Sequence, residues 1–243
     1  MGPVNMGNLV HNLDFKLETA LLGECVSTRN LISYGIKVIR EGAFIETTQD
    51  PILTMLSIGL EKLHKLSLGA IELELSNTWP DKKTMRSYGH GTLEMHETLM
   101  AHLNESAVGK SAYVKGLLEG VSEDRVVPEI LRALDTYGRA GRFYYLDILA
   151  SAPQDWVGPD VAWTDIEKAA QGDPAVSKLQ AESFANLGDN ASFEALLAAT
   201  NGRMATSIEA VWDAIVGCGK NHMMGRAGEI IGFEADRAMT GRQ

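Results

Sequence analysis

Residues 51–75 are the stretch that most constrains what this chain folds into. They read PILTMLSIGLEKLHKLSLGAIELEL and place apolar side chains on most faces of a helix. A helix that is apolar nearly all round is normally the buried centre of a helical protein. Asp50 and Pro51 are typical of a helix start, because Asp accepts hydrogen bonds from free N–H groups and Pro fits the first helical position. The sequence therefore predicts a central helix that begins at Pro51.

The rest of the chain shows helical periodicity and almost no strand-like alternation. Further helices are predicted near residues 13–40, 92–102, 111–118, 128–137, 161–171, 174–187, 190–199 and 203–237. Gly217 and Gly219 are expected to kink or break the last of them. The fold class is therefore all-α. The run PQDWVGP at 153–159 is the best boundary, which predicts a helical bundle over residues 1–152 and a C-terminal helical extension, residues 153–243, packed on it.

Charge and cysteine content restrict the binding partners and the cellular compartment that we expect for this protein. The net charge is −10, which disfavours broad attraction to nucleic acid or to a membrane surface but leaves a local basic patch open. Cys25 and Cys218 form no CxxC pair, a pattern that suits a reducing compartment. The N-terminus does not resemble a signal peptide, and no apolar run reaches the length of a membrane span. We expect a cytoplasmic protein with no membrane contact.

Glu61 and His64 form an E-x-x-H motif on the predicted central helix. In four-helix carboxylate bundles this spacing binds iron or manganese, together with a second E-x-x-H that this sequence lacks. The interpretation that we favour is structural: Glu61 pairs with Lys65 at i, i+4, and His64 shares a partly buried face with Leu60, Leu68 and Ile71. A metal site remains an alternative, and the main interpretation requires no metal or cofactor.

Three residues after the central helix have the chemistry of a catalytic site: Arg86, His90 and His96. An arginine holds a phosphate in a bidentate grip, and a histidine acts as general acid or base near neutral pH. Together they suit RNA cleavage. The alternatives are a solvated arginine, a His90 that caps the following helix, and a His96 that belongs to the core beside Leu93 and Met100.

A small basic and aromatic cluster lies further along the chain, at Arg139, Arg142, Tyr144 and Tyr145. Such a cluster can neutralise and stack on a nucleotide, so Arg139, Arg142 and Tyr144 are predicted to bind substrate. The alternative is that the arginines are solvated and the neighbouring apolar side chains form core, namely Phe143, Tyr145 and Leu146.

Residues 57–73 and 79–99 together resemble the HEPN superfamily of helical bundles. Members carry a Glu-Lys-Leu-x-Lys helix, and several prokaryotic branches of the abortive-infection type follow it with a lysine, a Gly-His pair and a leucine. The matching residues here are Leu60, Glu61, Lys62, Leu63, Lys65, Lys83, Gly89, His90 and Leu93. The resemblance covers about residues 13–118 and leaves the region after residue 151 unexplained.

The resemblance implies a dimeric helical bundle, and often a metal-independent RNase of toxin–antitoxin or phage-defence systems. The family's catalytic arginine and histidine would correspond to Arg86 with His90 or His96. In the family four to six residues separate them, whereas here three residues separate Arg86 from His90 and nine separate it from His96. We therefore expect a cytoplasmic homodimer that binds or cleaves RNA in a stress or phage-defence process. The alternative is a non-catalytic member that binds a nucleotide or a protein partner.

Overall fold

The computed structural model describes residues 13–42 and 45–240, and within these ranges the protein is all-α. This confirms the predicted fold class. No strand occurs in the described ranges. The helices are α1 (Phe15–Glu41), α2 (Ile45–Ser76), α3 (Lys82–Ser87), α4 (Thr92–Ser106), α5 (Ala112–Glu123), α6 (Val127–Arg139), α7 (Tyr144–Leu149), α8 (Pro159–Gln171), α9 (Pro174–Ala185), α10 (Asn190–Lys220) and α11 (Gly225–Glu234). Two 3₁₀ segments, Gly141–Phe143 and Arg237–Met239, complete the secondary structure of this part of the chain.

Helix α2 is the centre of the bundle, as its composition predicts. Leu56, Leu60 and Leu63 are buried, and α1, α4, α6, α8 and α11 all pack around it. The predicted start at Pro51 is wrong, because α2 already begins at Ile45 and Pro51 lies inside it. The Asp50 carboxylate does not cap a helix start; it accepts a hydrogen bond of 2.7 Å from the Tyr137 hydroxyl, across the contact with α6.

Helix α10 is the second long buried helix, and it is continuous through both glycines that were expected to break it. It ends at Lys220. Gly219 serves a close helix contact, because a Cβ there would collide with the carbonyl oxygen of Gly228 on α11. The predicted break is therefore wrong. Gly219 instead permits α10 and α11 to approach each other, and Gly217 leaves room for Leu117 of α5.

The buried apolar side chains form one cluster that runs from Leu21 on α1 to Ala235 after α11. Helix α10 packs on α1, α5 and α6, so residues on both sides of position 152 share this core. The boundary at residue 152 stays a prediction. No helix in the described part of the chain is long and apolar enough to cross a membrane.

Candidate functional site

The turn between α3 and α4, residues 88–91, carries one histidine predicted to be catalytic. Gly89 has a φ of +55°, a conformation that glycine adopts without strain. Its carbonyl oxygen accepts a hydrogen bond from Lys65 Nζ at 2.6 Å, which ties the turn to the middle of α2. The next residue, His90, is thereby held against the face of α2 that carries Glu61.

Glu61 binds both His90 and Lys65. Its Oε2 accepts a hydrogen bond from His90 Nδ1 at 2.9 Å, and its Oε1 accepts one from Lys65 Nζ at 2.7 Å. Burial opposes ionisation of this carboxyl, but the hydrogen bonds from Lys65 and His90 outweigh it and hold the pKa of Glu61 below its ordinary value. An ionised carboxylate only accepts, so Nδ1 of His90 carries a proton. Nε2, the nitrogen that does not contact Glu61, belongs to a side chain that is 53% exposed. In the neutral form of the imidazole this nitrogen is the one that can accept a proton.

The end of α6 lies against the same turn. Asp135 accepts a hydrogen bond from the backbone N–H of Leu93 at 3.1 Å and another from Nε of Arg139 at 2.9 Å. It therefore satisfies a free N–H at the start of α4 and orients the arginine. A Cβ at Gly91 would collide with the Arg139 guanidinium, so the glycine leaves room for that group beside His90. The structure thus places Arg139 against the turn that carries His90, although the sequence assigned the two residues to separate clusters.

Arg86 lies on α3, just before the turn. Its side chain is exposed and has no hydrogen-bond or ion-pair partner among the described residues. Lys82 and Lys83 on the same helix are exposed as well. Helix α3 is therefore a basic surface on a chain of net charge −10, next to the turn that carries His90.

Arg142 and Tyr144 have other contacts. Arg142 donates a hydrogen bond to the carbonyl oxygen of Gly138 at 2.6 Å. Tyr144 meets Tyr145 edge to face with ring centroids 5.3 Å apart, and it lies against Gly158. Within the described residues, no hydrogen bond or ion pair joins either side chain to His90 or Arg86, and their role in substrate binding stays a prediction.

The apolar residues beside this cluster are at the surface, and the interpretation of them as core is wrong. Phe143, Tyr145 and Leu146 are each more than half exposed. No residue of α7 is buried, because this short helix lies at the edge of the bundle. The basic-aromatic segment is therefore a surface feature.

His96 lies in a separate, buried network with His64. Nε2 of His64 and Nδ1 of His96 are 3.0 Å apart, and the rings meet edge to face. Nδ1 of His64 lies 2.6 Å from the carbonyl oxygen of Leu60. Burial lowers the pKa of His64 to about 4 and that of His96 to about 3, so both rings are neutral at pH 7. His96 makes no hydrogen bond to His90 or Arg86 within the described residues.

The E-x-x-H motif serves these two networks separately. Glu61 holds the exposed His90, whereas His64 holds the buried His96. Among the residues that the structure describes, no three His, Cys, Asp or Glu side chains are placed to hold one metal ion. The two halves of the motif have other partners, so the metal alternative gains no support from the geometry.

Sequence reasoning missed how this site is assembled. Glu61 was explained by Lys65 alone, although it also binds His90, and Asp135 was not singled out. A helix carboxylate next to Lys at i, i+4 gives no sign of a third partner 29 positions away. Only the packing of the 88–91 turn on α2 brings these groups together.

Comparisons of the chain with protein-family models, curated proteins and solved structures found no match. The resemblance to HEPN proteins accordingly rests on the motifs of α2 and of the α3–α4 turn.

Proposed function

We propose that this protein binds RNA on the surface formed by α3, the 88–91 turn and the end of α6, and cleaves it with His90 as the acid–base group. The observation that supports this most is the 2.9 Å hydrogen bond between His90 Nδ1 and Glu61 Oε2. A carboxylate that fixes the tautomer and orientation of an exposed histidine is the usual arrangement of a general base. In the setting that the resemblance suggests, the protein acts in the cytoplasm in a stress or phage-defence response.

The reaction needs only the groups around the turn. Nε2 of His90 takes the proton of a ribose 2′-hydroxyl, whose oxygen attacks the adjacent phosphorus. The bond from phosphorus to the 5′-oxygen breaks, and the protonated His90 returns its proton to that oxygen. The products are a 2′,3′-cyclic phosphate and a 5′-hydroxyl end. Glu61 stays ionised and stabilises the imidazolium that forms between the two proton transfers.

Two arginines supply the positive charge that this transition state needs. Arg86 is exposed and unpaired within the described residues, and it can bind a phosphate through two N–H groups. Arg139 is held by Asp135 beside Gly91, with its guanidinium next to the His90 turn. These groups stabilise the negative charge on the non-bridging phosphate oxygens in the transition state.

Cleavage of a short fluorogenic RNA, with and without EDTA, tests the proposal. We expect the wild type to cut in both conditions and to leave cyclic phosphate ends. His90→Ala should lower the rate by about 10²–10⁴-fold, since the acid–base contribution is lost. An RNA with a 2′-deoxyribose at the scissile position should resist cleavage.

His222→Ala is the matched control, because His222 is also exposed and pairs with a glutamate, Glu229, at 3.6 Å on α11. It should cut at the wild-type rate. Equal rates for the wild type and His90→Ala would reject the proposal. A Glu61→Gln variant tests whether the carboxylate orients His90 for catalysis. It should lower kcat and leave the affinity for RNA unchanged.

A second candidate function, assembly through an apolar surface, is favoured by the segment from 143 to 161. It exposes a set of large apolar side chains: Phe143, Tyr145, Leu146, Ile148, Leu149, Trp156, Val157 and Val161. Leu149 is 81% exposed. Monomeric proteins rarely expose large apolar patches, and aromatic residues of this kind are enriched at interfaces. We propose that two copies of the chain pair through this segment to form the homodimer that the resemblance implies.

Light scattering during size exclusion tests this second candidate. The wild type should elute as a dimer, and Leu149→Arg should elute as a monomer, because a buried unpaired charge opposes association. Leu75→Arg is the control, since Leu75 is 74% exposed at the end of α2, outside the segment. A wild-type monomer, or a Leu149→Arg dimer, would count against pairing through this surface.

A further inference from the structure

A cavity of about 290 Å³ lies between α4, α5 and α6, and His96 forms part of its wall. The other walls are mainly apolar, and they include Leu93, Met100, Leu118 and Leu131. The cavity is distinct from the proposed RNA site, since none of its lining residues binds His90 or Glu61, although Leu93 in its wall donates its N–H to Asp135, which orients Arg139.

The hydrogen bonds of the buried pair fix where the protons are. The carbonyl oxygen of Leu60 only accepts, so Nδ1 of His64 donates to it across 2.6 Å. His64 is fully buried with no carboxylate partner, so the ring is neutral and its Nε2 is bare. The 3.0 Å contact to His96 requires one donor, and that donor is therefore Nδ1–H of His96.

It follows that Nε2 of His96 is also bare. The side chain belongs to a residue that is only 7% exposed, and this nitrogen has no hydrogen-bond partner among the described residues. Nε2 is not completely shielded from water. A donor inside the mainly apolar cavity would replace that water with a hydrogen bond in surroundings where hydrogen bonds are stronger than in water. The cavity beside His96 is where such a donor would come from.

The walls define the rest of the ligand. No lysine or arginine lies among the residues described around the cavity, and Glu97 at its edge repels anions. An acceptor-only molecule gains nothing from a bare Nε2. The complement of this site is a neutral molecule with an apolar or aromatic body and one donor, small enough for about 290 Å³.

We propose that this cavity binds a small neutral ligand of the phenol or indole type, whose O–H or N–H donates to Nε2 of His96. The site is independent of RNA cleavage and gives His96 a binding role of its own. His64 fixes the tautomer of His96 by accepting from Nδ1, so His64 is a positioning residue.

Titration of the protein with phenol and with toluene, followed by nuclear magnetic resonance, tests this proposal. Phenol should bind saturably and shift the ¹⁵N resonance of His96 Nε2, while toluene should leave that resonance in place. One net neutral hydrogen bond predicts about tenfold tighter binding of phenol than of toluene. Equal affinities, or no change at His96 Nε2, would overturn the proposal.

Two variants complete the test. His96→Phe keeps an aromatic ring in the wall and removes the acceptor, so it should bind phenol and toluene equally. His90→Ala should bind phenol like the wild type, which separates this site from the RNA site. If His96→Phe retained the preference for phenol, the assignment to Nε2 would be rejected. The wild-type titration decides the question by itself where His96→Phe does not fold.

Discussion

His90 and His96 are six positions apart, yet their surroundings give them different chemistry. His90 is exposed and hydrogen-bonded to an ionised carboxylate, which favours proton transfer with solvent and substrate. His96 is buried and hydrogen-bonded to a neutral imidazole, which makes it an acceptor inside the fold. Burial and the partner of Nδ1 are therefore the reasons why we propose His90 as the catalyst and His96 as a binding group.

The buried pair makes stability depend on pH between about 3 and 6.5. Burial lowers the pKa of His64 from an ordinary value of 6.5 to about 4, and His96 shifts in the same direction. The unfolded chain therefore takes up protons in this range before the folded protein does, so stability is complete above pH 6.5 and falls as the pH drops. For His64 alone the full loss is about 3 kcal/mol, at 1.36 kcal/mol per pKa unit. Urea unfolding at pH 7.0, 5.5 and 4.5 measures it.

His64→Leu is the informative variant for this prediction. It removes one titrating group, so its free energy of unfolding should change less between pH 7.0 and 4.5, whatever its stability at pH 7.0. Carboxyl groups with lowered pKa values, such as Glu61 and Asp124, contribute mainly below about pH 4.3. A variant with the same pH slope as the wild type would assign the acid sensitivity to groups other than the histidine pair.

At the scale of elements, the contact between α10 and α11 depends on glycine. A Cβ on Gly219 would collide with the carbonyl oxygen of Gly228 and would lie 3.1 Å from the Cα of Gly232. These are backbone atoms, which cannot move aside as a flexible side chain does. We expect Gly219→Ala to lower the free energy of unfolding by on the order of 2 kcal/mol, in the range of overpacked cores. Urea unfolding at pH 7 measures the change.

Gly202 on the same helix provides the matched comparison, because a Cβ there meets no atom within 4 Å. Gly202→Ala should raise stability by about 0.5–1 kcal/mol, since alanine favours a helix over glycine. The two substitutions should change the free energy of unfolding in opposite directions, which distinguishes the effect of helix propensity from that of packing. If both variants were stabilised, the close approach of α10 to α11 would be wrong.

The elements were predictable where the signal is local. The start of α9 was predicted at residue 174, and the structure shows Asp173 as its cap and Pro174 in its first turn. The apolar faces of α2 likewise predicted its central position. The helix start predicted at Asp50 was wrong, because the Asp50 carboxylate accepts a hydrogen bond from Tyr137, which is 87 positions away. The geometry of the candidate site was unpredictable for the same reason. His90 was identified by its residue type, but its hydrogen bond to Glu61 depends on the packing of a turn on a helix distant in sequence. Local patterns specify helices, whereas tertiary contacts choose the partners of polar side chains.

At the scale of the whole molecule, one arginine joins three parts of the chain. Arg203 on α10 donates to both carboxylate oxygens of Asp124, at the end of α5, and to Asp173 at the start of α9. Burial disfavours the charge of Asp124, but the bonds from Arg203 outweigh it and hold the pKa of Asp124 below its ordinary value. This ion cluster ties the residues before position 152 to those after it.

Because the core is one cluster and Arg203 crosses position 152, we expect the protein to unfold in a single transition. Arg203→Met should lower the free energy of unfolding by about 2–4 kcal/mol, since it leaves Asp124 partly buried without its cation. Arg125→Met is the control, because Arg125 is exposed next to the same turn and has no partner among the described residues.

Circular dichroism follows all the helices, and fluorescence follows Trp79 before the boundary together with Trp156, Trp163 and Trp212 after it. Coincident urea curves are expected for the wild type and for both variants, with the midpoint shifted only in Arg203→Met. Separate curves for the two probes would show that residues 1–152 and 153–243 fold as independent units and that the cluster does not couple them.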